Sequence, residues 1–123
     1  MIEVIDAPDH VAAFRIAGTV TAADYDQIIP EIEDTLAEHK EIGVLADLAA
    51  MEDMTGEALQ RDLQYGMGKL GELHRFKRAA VISDKQWIKG ATEMADKLFP
   101  QIDARVFSPD EKDEALRWVS DLH

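Results

Sequence analysis

Few side chains in this chain have the type and spacing that chemistry requires. Asp47, Glu52 and Asp53 gather carboxylates in one short segment. They lack the spacing of an EF-hand loop, and a Ca²⁺ site needs more oxygen ligands than the segment offers. The histidines His10, His39, His74 and His123 form no H-x-x-x-H or H-x-H pair, so no zinc ligand set emerges. Cysteine is absent, which removes thiolate nucleophiles, thiolate metal sites and disulfides together. Ser83 and Ser108 read as helix caps, Ser120 falls in a terminal helix, and no G-x-S-x-G elbow is present. The expectation is a protein that is not an enzyme and that carries no metal or cofactor.

Other features have more to say, each with two readings. Gly66-Met67-Gly68-Lys69-Leu70-Gly71 matches G-x-G-x-x-G, but a dinucleotide site needs a strand before those glycines and a helix after them. Here the preceding Leu59 to Tyr65 is helical in pattern. One reading is close packing of that helix. The other starts from the cost of glycine in a helix, about 0.5–1 kcal/mol each against alanine. A helix so weakened can move, opening a pocket or baring an apolar face. Lys69, Arg75, Lys77, Arg78, Lys85 and Lys89 are opposed over Lys69 to Lys89 only by Glu72 and Asp84, a local charge of +4. With His74, Phe76 and Trp87 interleaved, the stretch reads as a patch for anionic lipid heads or an acidic partner. It also reads as counter-charge for an acidic surface and for helix C-termini. Thr55 stands at a helix start, as an N-cap or as a phosphate acceptor. Asp47 closes a strand where open α/β sheets place ligand sites, or it bonds loop amides. Met51, Met54 and Met67 lie in or beside the same helix, as core filler or as an adaptable binding surface.

The elements that must position these residues follow from periodicity. Ile2 to Asp6 and Val11 to Gly18 are strand-like around a turn at Ala7-Pro8-Asp9-His10, which predicts a hairpin. Thr21 caps a helix from about Ala22 to His39, whose stripe is Tyr25, Ile28, Ile29, Ile32 and Leu36, with Pro30 bending it. Ile42 to Ala49 and Arg78 to Ser83 are short apolar runs that suit central strands buried on both faces. Between them a second helix starts near Thr55, with the stripe Leu59, Leu63, Gly66, Leu70 and Leu73. Ser83 and Gln86 suggest a capping box for a third helix, whose stripe is Trp87, Ala91, Met94, Ala95 and Leu98. Ala104 to Phe107 is a last strand. Ser108-Pro109-Asp110-Glu111 combines a cap, a proline at the first helical position and a reaching glutamate, and it starts a final helix with Ala115, Leu116, Val119 and Leu122. Strands alternating with helices predict an α/β fold: a mainly parallel sheet of about five strands, an antiparallel N-terminal hairpin and four main helices.

Size and charge fit that picture. The chain has 123 residues, 25 acidic and 13 basic, for a net charge of −12. That length predicts one domain over residues 1–123, with enough chain for one core. The acidic balance excludes general nucleic-acid binding, which needs clustered Lys and Arg on phosphates. No signal peptide or spanning segment is apparent, so a cytoplasmic protein is expected, with peripheral membrane contact left open.

The succession of motifs resembles the STAS domain, and more closely the SpoIIAA-like family of small bacterial proteins with a STAS-like or CRAL-TRIO-like fold. The carriers are Val11 to Gly18 running into Thr19-Val20-Thr21, the helix with Tyr25 and Pro30, and Leu45-Ala46-Asp47-Leu48. Lys77 to Asp84 with Trp87, Arg105-Val106-Phe107, and Glu114-Ala115-Leu116-Arg117-Trp118-Val119 complete them. The resemblance implies a STAS-like fold over essentially the whole chain. Sporulation antagonists of this fold carry a phosphorylated serine in an Asp-Ser-Ser-Gly turn. Asp53-Met54-Thr55-Gly56 corresponds to it, with methionine at the first serine position and Thr55 at the second. For the SpoIIAA-like branch the resemblance implies membrane association or binding of an apolar ligand.

Together these readings give two expected functions. In the first, a regulatory module binds an apolar or amphipathic small molecule, or an anionic membrane surface, between the second and third helices and the sheet. Leu59, Leu63, Met67 and Leu70 supply apolar contact, and Lys69, Arg75 and Lys77 hold an anionic head. In the second, the protein is a switch of the anti-sigma-factor-antagonist type, acting on a protein partner, with Thr55 as phosphoacceptor. Homodimerisation through a helix face or a sheet edge fits either.

Overall fold

A computed structural model describes residues 1–122; His123 lies outside them. The strands are β1 (Ile2–Val4), β2 (Val11–Ile16), β3 (Gly18–Val20), β4 (Ile42–Asp47), β5 (Met51–Met54), β6 (Phe76–Ile82) and β7 (Asp103–Phe107). The helices are α1 (Tyr25–Glu38), α2 (Gly56–Gly68), α3 (Gln86–Leu98) and α4 (Lys112–Ser120). Short 3₁₀ segments at Ala22–Asp24 and Pro109–Glu111 lead into α1 and α4, and one at Leu70–Arg75 follows α2.

The main sheet has the order β1-β2-β4-β6-β7. β1 pairs antiparallel with β2, and every other pairing in that sheet is parallel. This is the predicted α/β architecture with its N-terminal hairpin. The sequence reading missed one feature. The short connection after β4 holds β5, which pairs in parallel with β3 as a second, two-stranded sheet. Gly18 turns the chain from β2 into β3 at φ 72°, a left-handed conformation that glycine adopts without steric cost.

Local signals explain the helix starts. At Thr21 the Asp24 carboxylate accepts the Thr21 backbone N–H at 2.8 Å, and at Ser108 the Glu111 carboxylate does the same at 2.8 Å. Both are capping-box contacts. α1 runs through Pro30 as one helix. The capping box expected from Ser83 and Gln86 does not form. Ser83 is fully buried, its hydroxyl accepts the Lys85 N–H at 3.1 Å, and Lys85 takes the cap position.

The sheet divides the core in two. On one side α4 closes against Val11, Ala13, Leu45, Ala80, Ile82 and Phe107 through Ala115 and Val119. Gly43 makes that approach possible, since a Cβ there would stand 2.5 Å from the Val119 carbonyl oxygen. On the other side Phe14, Ile16, Ile28, Ile32, Leu36 and Ile42 pack under α1, with Ala58 of α2 and Ile88 of α3 at its margin.

Candidate functional site

The two predicted stripes of α2 and α3 form, but they do not enter the core. Ala58 is the one buried residue of α2, and Ile88 the one buried residue of α3. Leu59, Leu63, Met67 and Leu70 are at least half exposed, with Met67 at 61%. Trp87, Met94 and Leu98 are likewise open, Leu98 at 66%, and Ala91 and Ala95 are exposed beside them. Of the two readings of the α2 stripe, the close-packed one does not hold: Leu73, in the 3₁₀ segment beyond α2, is the one predicted stripe leucine of that region that is buried.

Geometry explains the inversion. α2 turns one side to α1 and the segment before it, and that side is polar. Tyr25 donates to Asp62 at 3.2 Å, Tyr65 donates to Glu33 at 3.2 Å, and Arg61 meets Asp26 at 2.7 Å. Burial and the neighbouring carboxylates push both phenols up from their ordinary pKa. At 100° per residue, Leu59, Leu63, Met67 and Leu70 lie on the side turned away from those tethers. α3 packs beside β7, with Ile88 buried and Thr92 half-buried. Its polar side, Lys89, Glu93 and Asp96, borders the outer margin of β7, so its apolar stripe is left facing away from that margin.

The sheet beneath is incompletely covered. Val44 and Ala46 of β4 and Ala79 and Val81 of β6 are only half-buried, although both strands are central. Their alternating neighbours Leu45, Asp47, Ala80 and Ile82, facing α4, are buried. Isolated exposed apolar residues need no explanation; seven large ones concentrated in α2, α3 and the turn after α2 are the main candidate for an interaction surface.

The basic residues expected to hold an anionic head are already engaged. Lys69 meets Glu33 at 2.8 Å and Glu72 at 3.2 Å; its bond to Glu33 leads in raising its pKa, working against burial. Arg75 pairs with Glu72 at 2.7 Å and donates to the carbonyls of Leu36, His39 and Lys40, so it seals the C-terminus of α1. Lys69 and Arg75 together hold the Glu72 carboxyl below its usual range. Lys77 pairs with Glu41 at 2.9 Å. Sequence placed these three as head-group ligands; in the structure each is paired with a glutamate.

Thr55 is the N-cap of α2, its hydroxyl accepting the Ala58 N–H at 3.1 Å. Asp47 is buried at the end of β4 on the α4 side, where it accepts from Ala49 N–H at 3.1 Å, Lys112 at 3.0 Å and Arg15 at 3.3 Å. Burial acts to raise its pKa, but the Ala49 amide and the two cations outweigh it and hold the carboxyl below its ordinary value. This is an anchor joining β2, β4 and α4, removed from the apolar face. Sequence reading placed Trp87, Met94 and Leu98 on the stripe of α3, and Val44 and Val81 in strands buried on both faces, without joining them to the candidate surface. An apolar stripe at helical spacing has one pattern whether it faces a sheet or solvent.

A parallel sheet with an antiparallel leading strand, α4 alone on one side and α1 to α3 on the other, is the SpoIIAA-like α/β fold. The chain belongs to the SpoIIAA-like family, whose model matches residues 11–120. It is similar to an uncharacterized protein with a SpoIIAA-like fold from Shewanella loihica PV-4: 30% identity, 97% of this chain and 92% of that one, TM-score 0.74. It shares its fold with the anti-sigma factor antagonist SpoIIAA in its unphosphorylated form: 10% identity, 95% and 98% coverage, TM-score 0.65. None of the curated proteins matches the chain in sequence. Among the described residues no helix is long and apolar enough to cross a membrane.

Proposed function

We propose that the protein is a non-enzymatic binding module that takes an apolar or amphipathic molecule, free or presented at a bilayer surface, on the face made by α2, α3 and the centre of the sheet. The observation that carries this reading is the outward apolar set Leu59, Leu63, Met67, Leu70, Trp87, Met94 and Leu98 above half-buried β4 and β6. Burying such side chains contributes about 1.5–3 kcal/mol each when complete, so even partial cover by a ligand gives useful affinity. In this reading Lys69 and Arg75 fasten the segment after α2 to α1, through Glu33 and the α1 C-terminal carbonyls, and Lys77 ties β6 to Glu41 ahead of β4. Recognition is then apolar, as suits a chain of net charge −12. The test is binding of cis-parinaric acid and co-sedimentation with phosphatidylcholine vesicles. The native protein should bind at least one of the two, and Leu63→Asp with Met94→Asp should abolish it. A native protein that binds neither contradicts the reading.

A second reading rests on Thr55. It stands at the N-terminus of a 13-residue helix, in the SpoIIAA-like fold, two residues after Asp53. A phosphate there would exchange the Ala58 cap for a doubly charged group at the positive end of the α2 dipole. Thr55→Glu should alter capture of a protein partner in a pull-down; identical partners for both forms would count against a switch.

A further inference from the structure

Among the described residues no strand covers the outer edge of β7. β7 ends the main sheet. The Phe107 carbonyl accepts from Ser83 at 3.0 Å, so the main-chain groups of Phe107, Arg105 and Asp103 turn toward β6. Those of Ala104 and Val106 therefore point outward. The Ala104 N–H is met only by the Asp96 carboxylate of α3, at 3.2 Å. Beside this edge lies a cleft of about 570 Å³, lined by Lys89, Thr92, Asp96, Ala104 and Val106 among others. An unprotected edge is a template for another strand.

Charge selects which strand. Two copies of β7 can pair antiparallel about a two-fold axis only in registers that match outward-facing residues. If the axis passes through position 103, Asp103 faces its own copy; if it passes through 105, Arg105 does; if it passes through 106, Arg105 faces Phe107 and neither charge meets an opposite one. Like charges directly opposite are destabilising. With the axis at Ala104, each Asp103 stands opposite the other copy's Arg105 and each Val106 opposite Ile102. Asp103 and Arg105 are both more than half exposed and lie 3.9 Å apart within one chain, a loose contact that leaves both free to pair across the axis. Arg105 is also stacked 4.8 Å from the Trp118 ring, which holds its guanidinium in place.

We propose that a second copy of this chain pairs with β7, antiparallel and centred on Ala104, extending the five-stranded sheet across the dimer. The Ala104 N–H then passes from Asp96 to the partner's carbonyl. Sedimentation equilibrium of the full chain tests this. The native protein should dimerise with concentration. Asp103→Arg and Arg105→Asp should each weaken the dimer about tenfold, because each places like charges at two symmetry-related pairs. The double exchange, Asp103→Arg with Arg105→Asp, should restore it. Asp96→Ala should tighten it about threefold by freeing the edge amide. A native protein that stays monomeric to millimolar concentration overturns the proposal. So does a dimer that the single charge changes leave intact, or one that the double exchange fails to restore. None of these outcomes depends on the apolar face, so the two proposals stand or fall separately.

Discussion

The two faces of one sheet are built on different terms. On the α4 side, residues of β2, β4, β6 and β7 are buried, Gly43 is trimmed to admit Val119, and the one buried carboxylate, Asp47, has three partners. On the α2 and α3 side, each helix buries a single residue, and the apolar side chains that would close the core look outward. Close packing stabilises the first face and the part of the second that lies under α1; α2 itself is tied to α1 and the segment before it by hydrogen bonds and an ion pair. The contrast separates scaffold from surface, and mutation can break it.

The largest effect should come from the closed face. Ile82→Ala removes a buried side chain beneath α4 and should lose about 3 kcal/mol of stability, read as a lower urea midpoint with unchanged slope. Asp47→Ala should lose about 2 kcal/mol, since it removes hydrogen bonds to charged groups. Its pH dependence has a definite sign. A carboxyl whose folded pKa lies below its unfolded value stabilises above the unfolded pKa, and that stability fades as pH falls through the folded one. Urea midpoints of the native protein should therefore drop on acidification below about pH 4, and the Asp47→Asn variant should show less of that drop.

Smaller effects belong to the open face. Thr55→Ala removes a cap and should cost about 1 kcal/mol, seen as faster amide exchange in the first turns of α2. Leu63→Ser and Leu98→Ser should change stability by no more than about 0.5 kcal/mol, because both side chains are already in solvent. If either lowers the urea midpoint as far as Ile82→Ala does, the open face is part of the core.

Much of this fold is readable from residue order. The Ser108-Pro109-Asp110-Glu111 start, the cap at Thr55 and the apolar runs of β4 and β6 are local signals, and local signals appear in sequence. β5 escaped because Met51-Glu52-Asp53-Met54 has little strand character; its pairing with β3 comes from the turn at Gly18 and the chain path after Asp47. The site was half legible. The apolar spacing of Leu59, Leu63 and Leu70 is visible in sequence, but the direction in which α2 turns depends on Asp26, Glu33 and Asp62, residues distant in sequence or unremarkable in type. The same holds for the basic cluster, whose charge is plain in sequence and whose partners Glu33, Glu41 and Glu72 are not.

In the proposed function the face of α2 and α3 is an open binding surface on a closed scaffold. Hydrogen exchange, followed segment by segment with and without phosphatidylcholine vesicles, tests it most directly. The account predicts that α2 and α3 exchange far faster than β4, β6 and α4 in the free protein, and slow selectively when vesicles are added. Protection of α2 and α3 equal to that of α4, or slowing by vesicles on the α4 side instead, would contradict it.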